Sequence, residues 1–245
     1  MTETAKVAIV TGGSRGIGAA ISKRLGHDGF AVAVNYSGNA EAAGEVVDAI
    51  TAAGGKAVAI QADVTDPAAV VRLFDETEKA FGPVGVLVNN AGVMRLSPIA
   101  ETDDAALDRH LAVNVRGPFF ALREAARRMG PGGRIVNLST SVLGKYQPTY
   151  GVYAATKGAI EALSKVMANE MRGREITVNV IAPGPTGTDL FLDGKSEELI
   201  AAIAKQAPME RIGTPDEIAD AVAFLAGPDG RWVNGQVLRV NGGLV

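Results

Sequence analysis

Residues 7–25 read Val7-Ala8-Ile9-Val10-Thr11-Gly12-Gly13-Ser14-Arg15-Gly16-Ile17-Gly18-Ala19-Ala20-Ile21-Ser22-Lys23-Arg24-Leu25, and three regimes follow one another within them. The short apolar run at 7–10 suits a strand buried in a parallel sheet. From Ile17 onward the apolar residues at 17, 20, 21 and 25 recur with the period of an amphipathic helix. Between them lies G-x-x-x-G-x-G, formed by Gly12, Gly16 and Gly18. A strand, a glycine turn and a helix in this order make a phosphate cradle. Missing side chains let the backbone approach a pyrophosphate, and the helix N-terminus offers free N–H groups and the positive end of its dipole. Gly12, Ser14, Arg15, Gly16, Ile17 and Gly18 are therefore candidate cofactor-binding residues.

The same turn also fits G-x-S-x-G, the nucleophile elbow of serine hydrolases. That reading requires an acid and then a histidine further along the chain. Only His27 and His110 exist, and none of the 135 residues after His110 is a histidine, which excludes the triad in that order. Both histidines read as surface or helix-end residues.

Outward from the turn, apolar runs alternate with helical patterns. Strands are predicted at 6–11, 31–36, 56–61, 84–89, 133–139, 176–181 and 236–240, and helices at 16–27, 39–53, 67–81, 102–129, 152–172 and 215–226. Such alternation implies βαβ units, hence an α/β fold with a single-domain, doubly wound parallel sheet of Rossmann type and helices on both faces. Ligands bind beyond the carboxyl ends of the strands, near the switch in strand order. No repeat or linker interrupts residues 1–245. The stretch from Pro183 to about Arg211 reads as an excursion over the site, with a substrate lid at about 185–211.

The 245 residues are 47% apolar and 21% charged, a globular balance, and 30 are glycine, as many short strand–helix turns require. A net charge of −3 argues against nucleic acid or an anionic membrane as the main partner. With no cysteine, disulfides and thiolate metal sites are excluded, and two distant histidines point to no metal centre. Met1 to Lys6 shows no leader pattern, so cytoplasmic residence is expected.

A second motif supplies chemistry. Tyr153 and Lys157 stand four apart, on one helix face. An ammonium beside a phenol favours the phenolate and lowers its pKa. A free tyrosine near ~10 is otherwise a poor acid or base at neutral pH.

With these pieces assembled, the chain resembles the short-chain dehydrogenase/reductase family over essentially its whole length. The matched motifs are T-G-G-S-R-G-I-G at 11–18, Asp63-Val64, Asn89-Asn90-Ala91-Gly92, Asn114, Tyr153-x-x-x-Lys157 and Pro183-Gly184. The pattern is most similar to 3-oxoacyl carrier-protein reductases and hydroxynaphthalene-type reductases. The resemblance implies that Tyr153 is the general acid or base. It also implies that Lys157 tunes Tyr153 and bonds the nicotinamide ribose, and that Asn114 holds a water in a proton relay. The carbonyl-orienting hydroxyl stays open. Counting along the strand reaches Thr140, whereas the family's Ser-x-x-Gly pattern matches Ser141, which is slightly favoured. The family likeness further places Asp63 and Val64 at the adenine, Asn89, Asn90, Ala91 and Gly92 along the ribose, and Pro183, Gly184, Thr186 and Thr188 near the nicotinamide.

The end of the second strand, Tyr36-Ser37-Gly38-Asn39, carries no acid to grip a ribose 2′-hydroxyl. With Arg15 supplying charge and Tyr36, Ser37 and Asn39 close by, NADP (NADPH) is the expected cofactor. The expected activity is reversible reduction of a ketone or 3-oxoacyl carbonyl to a secondary alcohol. A nucleotide-sensing protein without turnover is the alternative, disfavoured because Tyr153 and Lys157 are both intact. A docked acyl carrier would need basic residues, which Arg174, Arg127 and Arg128 could provide, although Pro131 replaces one of them. A small-ketone or aromatic polyol substrate fits equally. Leu107, Leu111, Val115, Phe119, Phe120 and Leu122, with Ile160, Leu163, Val166 and Met167, suggest surplus apolar helix surface and a homotetramer.

Overall fold

A computed structural model describes residues 6–245; the remaining residues read for a leader, 1–5, lie outside the described ones. Seven strands form one sheet: β1 (Val7–Val10), β2 (Ala31–Tyr36), β3 (Lys56–Gln61), β4 (Val86–Asn89), β5 (Arg134–Leu138), β6 (Thr177–Pro183) and β7 (Val237–Val240). Their order is β3-β2-β1-β4-β5-β6-β7, and every neighbouring pair is parallel. The chain thus reverses its winding between β1 and β4. Crevices for ligands open at that point, beyond the strands' carboxyl ends.

Nine α-helices accompany the sheet among the described residues: α1 (Gly16–His27), α2 (Ala40–Ala52), α3 (Pro67–Phe81), α4 (Asp104–Leu111), α5 (Gly117–Arg128), α6 (Gly151–Glu170), α7 (Asp189–Leu192), α8 (Glu197–Ala204) and α9 (Pro215–Ala226). Strands such as Val7–Val10 and Arg134–Leu138 are buried throughout, which explains their unalternating apolar runs. One core layer packs Ile21, Leu25, Val46, Ile50, Val222 and Leu225 of α1, α2 and α9 on the sheet. The other packs Val70, Leu73, Phe74, Ala121, Leu122 and Met167 of α3, α5 and α6 on the opposite face. Local signals start the helices. Asn39, Asp66 and Asp103 cap α2, α3 and α4, and Thr214 with Glu217 makes a reciprocal capping box on α9.

The continuous helix expected at 102–129 is corrected. It is α4 and α5 joined by a π-helical stretch, Ala112–Arg116, with Asn114 at its centre. A wider turn of this kind inserts one residue without breaking the axis, which a 3.6-residue pattern cannot register. The expected surplus apolar surface is also smaller than predicted. Leu122, Ile160 and Met167 are buried in the core, whereas Leu107, Leu111, Phe119 and Val166 remain exposed. No helix of the described residues is long and apolar enough to cross a membrane.

Candidate active site

The glycine turn is tied down from two sides. Gly12 N–H donates to Asn35 Oδ1 at 3.2 Å, and Gly13 N–H donates to the Asn35 carbonyl at 2.8 Å. Asn90 Nδ2 donates to the carbonyls of Thr11 and Gly12 at 2.9 and 3.0 Å. The Thr11 hydroxyl in turn accepts from the N–H groups of Asn90 and Ala91. A Cβ on Gly18 would lie 2.1 Å from the Gly12 carbonyl oxygen, and Gly16 has φ +51°. Only glycine meets both demands. No side chain caps α1, and its first turn holds no acid, so its N–H groups stay open toward the crevice. Arg15 is exposed and makes no ion pair among the described residues.

These features fit a dinucleotide, and the absence of an acid at the end of β2 fits one bearing a 2′-phosphate. Tyr36 is half-buried and Ser37 exposed there. Asn39 is more constrained than the sequence suggested: its side-chain oxygen caps α2 by accepting from Ala42 N–H, leaving only its amide NH2 to donate. Asp63 accepts from the backbone and hydroxyl of Thr65, which hold its carboxyl below the usual range against partial burial. Val64 is buried against Gly117. Asn89 does not present its side chain to the crevice. It is buried and donates to Asn137 Oδ1 at 2.8 Å, because alternate strand residues face opposite ways, and its neighbour Asn90 lines the cleft instead.

A cleft of about 180 Å³ continues from the turn. Thr140, Tyr153 and Lys157 line it, as do Gly92, Met94, Gly184 and Phe191. Tyr153 and Lys157 are one turn apart on α6. Lys157 does not lower the Tyr153 phenol as expected. Its Nζ donates to the Leu138 carbonyl at 2.7 Å and lies 5.8 Å from the Tyr153 ring centre. Burial pushes the phenol up to about 12, the Thr140 side chain pulls the other way, and Tyr150 adds to the rise. Burial likewise pushes the Lys157 ammonium down to about 8.

The hydroxyl question divides cleanly. Ser141 Oγ donates to the Ala182 carbonyl at 2.9 Å and accepts from Asn241 Nδ2 at 2.9 Å. It is buried with both capacities used, and the chain turns into a 3-10 segment, Ser141–Gly144, at that residue. Thr140, the residue favoured less, lines the cleft with Tyr153 and lowers its phenol, while its hydroxyl accepts from Val142 N–H at 3.3 Å. Asn114 Oδ1 accepts from Val93 N–H at 2.8 Å, while its Nδ2 donates to the Val93 carbonyl at 2.9 Å and to Thr156 Oγ1 at 3.2 Å. Its amide therefore positions the loop after β4 rather than opening to solvent.

Pro183 ends β6, Gly184 follows it, and Thr188 reaches Gly16. Thr186 turns its hydroxyl back onto the Gly184 carbonyl. A bridge between Thr186 and Gly213 closes the excursion that carries α7 and α8. Sequence reasoning gave no role to Asn35, which ties the glycine turn to β2, or to Asn241, which holds Ser141; each bonds a segment distant in the chain, so no local spacing signals it.

A parallel sheet with a glycine turn at its switch point and a tyrosine–lysine pair beyond β5 defines a dinucleotide-dependent oxidoreductase. The family described as enoyl-(acyl carrier protein) reductase matches residues 12–245. A short-chain type dehydrogenase/reductase of Picea abies is 46% identical over 98% of this chain and 92% of its own length. NADPH-dependent aldehyde reductase 2, chloroplastic, of Arabidopsis thaliana is 44% identical over 97% and 93%, and versicolorin reductase 1 of Aspergillus parasiticus is 41% identical over 97% and 95%. Among solved structures, a short-chain dehydrogenase from Burkholderia cenocepacia in complex with NADP matches with a TM-score of 0.91 and 41% identity, covering 97% of this chain and 96% of that one. The chain belongs to the short-chain dehydrogenase/reductase family.

Proposed function

We propose that this NADP-dependent oxidoreductase reduces a ketone on a free, largely apolar small molecule to a secondary alcohol, reversibly. The observation that carries the reading is the convergence of Thr140, Tyr153 and Lys157 in the wall of one largely apolar cleft. When bound, the nicotinamide supplies the hydride to the carbonyl carbon. The rest falls to the chain. Thr140 orients the carbonyl oxygen, and Tyr153 gives that oxygen the proton that completes the alcohol. A phenol near 12 is fully protonated at neutral pH, as the reducing direction needs. Lys157 braces the end of β5 through Leu138 and offers its remaining N–H groups to the cofactor ribose. Asn114 and Gly92 hold the loop opposite.

The 2′-phosphate is assigned to Arg15 and Ser37, the pyrophosphate to Gly12 through Gly18, and the nicotinamide end to Pro183, Gly184, Thr186 and Thr188. Residues 185–211 serve as the lid. Relatives and a neighbour named for NADPH or NADP support the cofactor.

The basic residues that a carrier protein would need are engaged elsewhere. Arg174 donates to the carbonyls of Ala126 and Met129, both at 2.6 Å. Arg127 pairs with Glu124, and Arg128 with Glu124, Asp75 and Glu78. That favours a free substrate, in line with relatives named for aldehyde and versicolorin reduction. The exposed Leu107, Leu111, Phe119 and Val166 support a homotetramer of this chain. The test is NADPH oxidation with a panel of aryl ketones, aldehydes and a 3-oxoacyl group offered as free thioester and on carrier protein. Aryl ketone turnover is expected. Preference for the carrier-bound group over all free carbonyls would overturn the reading.

A further inference from the structure

We propose that His110 is a positioning residue for substrate recognition, fixing the cleft residue Met94 through a backbone staple; this rests on the carbonyl-reductase reading above. Residues 90–98, after β4, form no regular secondary structure, so their backbone groups need partners elsewhere. They find them at every second residue. Val93 is gripped at both N–H and carbonyl by Asn114. The Arg95 N–H donates to His110 Nε2 at 3.1 Å, and the Ser97 N–H donates to the Thr149 carbonyl at 3.0 Å. Met94, between the first two anchors, lines the cleft.

His110 is held for this task in one tautomer. An amide N–H can only donate, so Nε2 is the bare nitrogen. The proton therefore sits on Nδ1, which donates to the Ala106 carbonyl at 2.7 Å. The ring is 2% exposed, so neither bond has water as a substitute. His110 and Asn114 stand four residues apart and grip the loop together, with different consequences. Asn114 holds the loop beside Gly92, where an added Cβ would lie 3.5 Å from Asn114 Oδ1 and 3.6 Å from Lys157 Nζ. His110 holds only the far side of Met94. Its loss should free the substrate wall and leave the reacting groups in place.

The test is steady-state kinetics of the full chain with saturating NADPH, comparing a bicyclic aryl ketone with a short aliphatic ketone. His110→Leu strands the Arg95 N–H, and KM for the bicyclic ketone should rise about tenfold, the size of one buried hydrogen bond. The kcat, the NADPH affinity and the KM for the short ketone should change by less than about twofold. His110→Gln, whose amide oxygen can accept from Arg95, should restore most of the loss. On a Met94→Ala background, His110→Leu should add less than about twofold, because coupled residues are not additive. If His110→Leu does not fold, His110→Asn, too short to reach Arg95, makes the same comparison. Equal effects on both ketones, a parallel fall in kcat and NADPH affinity, or full additivity with Met94→Ala would overturn the proposal. Absence of wild-type turnover would overturn the reductase reading as well, whereas turnover indifferent to His110 overturns this inference alone.

Discussion

The turn after β1 and the turn after β5 lie on the same edge of the sheet and are built in opposite ways. The first works by subtraction: glycines bring backbone close to backbone, and buried Asn35, Thr11 and Asn90 tie it to β2 and β4. Its charged side chain, Arg15, is left at the surface. The second works by burial against α6: Lys157, which bonds the Leu138 carbonyl at its start, is nearly inaccessible, and Tyr153 is pushed up to about 12. A recognition site can leave its charge in water until a ligand arrives. A proton-transfer site has to hold its titratable groups out of water, and that costs stability.

If this division is right, variants in the two regions should fail differently. The largest effect is expected on chemistry: Tyr153→Phe should lower turnover by about 10² to 10⁴. Next comes cofactor choice. NADPH should exceed NADH in kcat/KM by about one to three orders of magnitude, since a charge-assisted phosphate contact contributes ~1.5–3 kcal/mol. Ser37→Asp should reverse much of that preference by repelling the phosphate, with kcat for the preferred cofactor little altered. Wild-type kinetics indifferent to the 2′-phosphate at low salt would remove Arg15 and Ser37 from the site.

Within the second turn, Thr140→Val should lower the single-turnover rate by about tenfold or more, the loss of one oriented hydrogen bond to the reacting oxygen. Ser141→Ala should act through stability instead. The reverse order would restore Ser141 to the catalytic role.

The smallest effect is read in stability rather than turnover. Lys157→Met should stabilise the fold, by about 1–3 kcal/mol at neutral pH for a shift of this size. Its sign follows from linkage. The folded state binds the lysine proton less tightly than the unfolded chain, so the cost of the charge is full below about pH 8 and fades toward the ordinary lysine value of 10.5. Denaturant melts of both proteins across that range should converge as pH rises. A variant less stable than wild type at pH 7 would mean that the Leu138 bond outweighs the burial.

The same contrast explains what the sequence made legible. The order of strands and helices, the glycine turn and the Tyr153–Lys157 pair were readable because each is a local pattern with a fixed period or spacing. The π-helical stretch at Asn114 was not, since one inserted residue leaves the apolar pattern unchanged. Nor was the choice between Thr140 and Ser141, which depends on Ala182 and Asn241 reaching in from β6 and the turn after β7. Asn89 was read along the ribose together with Asn90 to Gly92, yet its side chain turns to Asn137, because a motif gives residue types but not the face on which a strand ends.

The central claim is that Tyr153 carries the chemistry while the glycine turn carries the binding. The most direct test measures NADPH affinity and single-turnover reduction of one aryl ketone side by side, in wild type and in Tyr153→Phe. The account predicts an NADPH Kd within about threefold of wild type and a reduction rate lower by at least about a hundredfold. A Tyr153→Phe enzyme that keeps more than roughly a tenth of the wild-type rate, far above the range for losing a general acid, would contradict it.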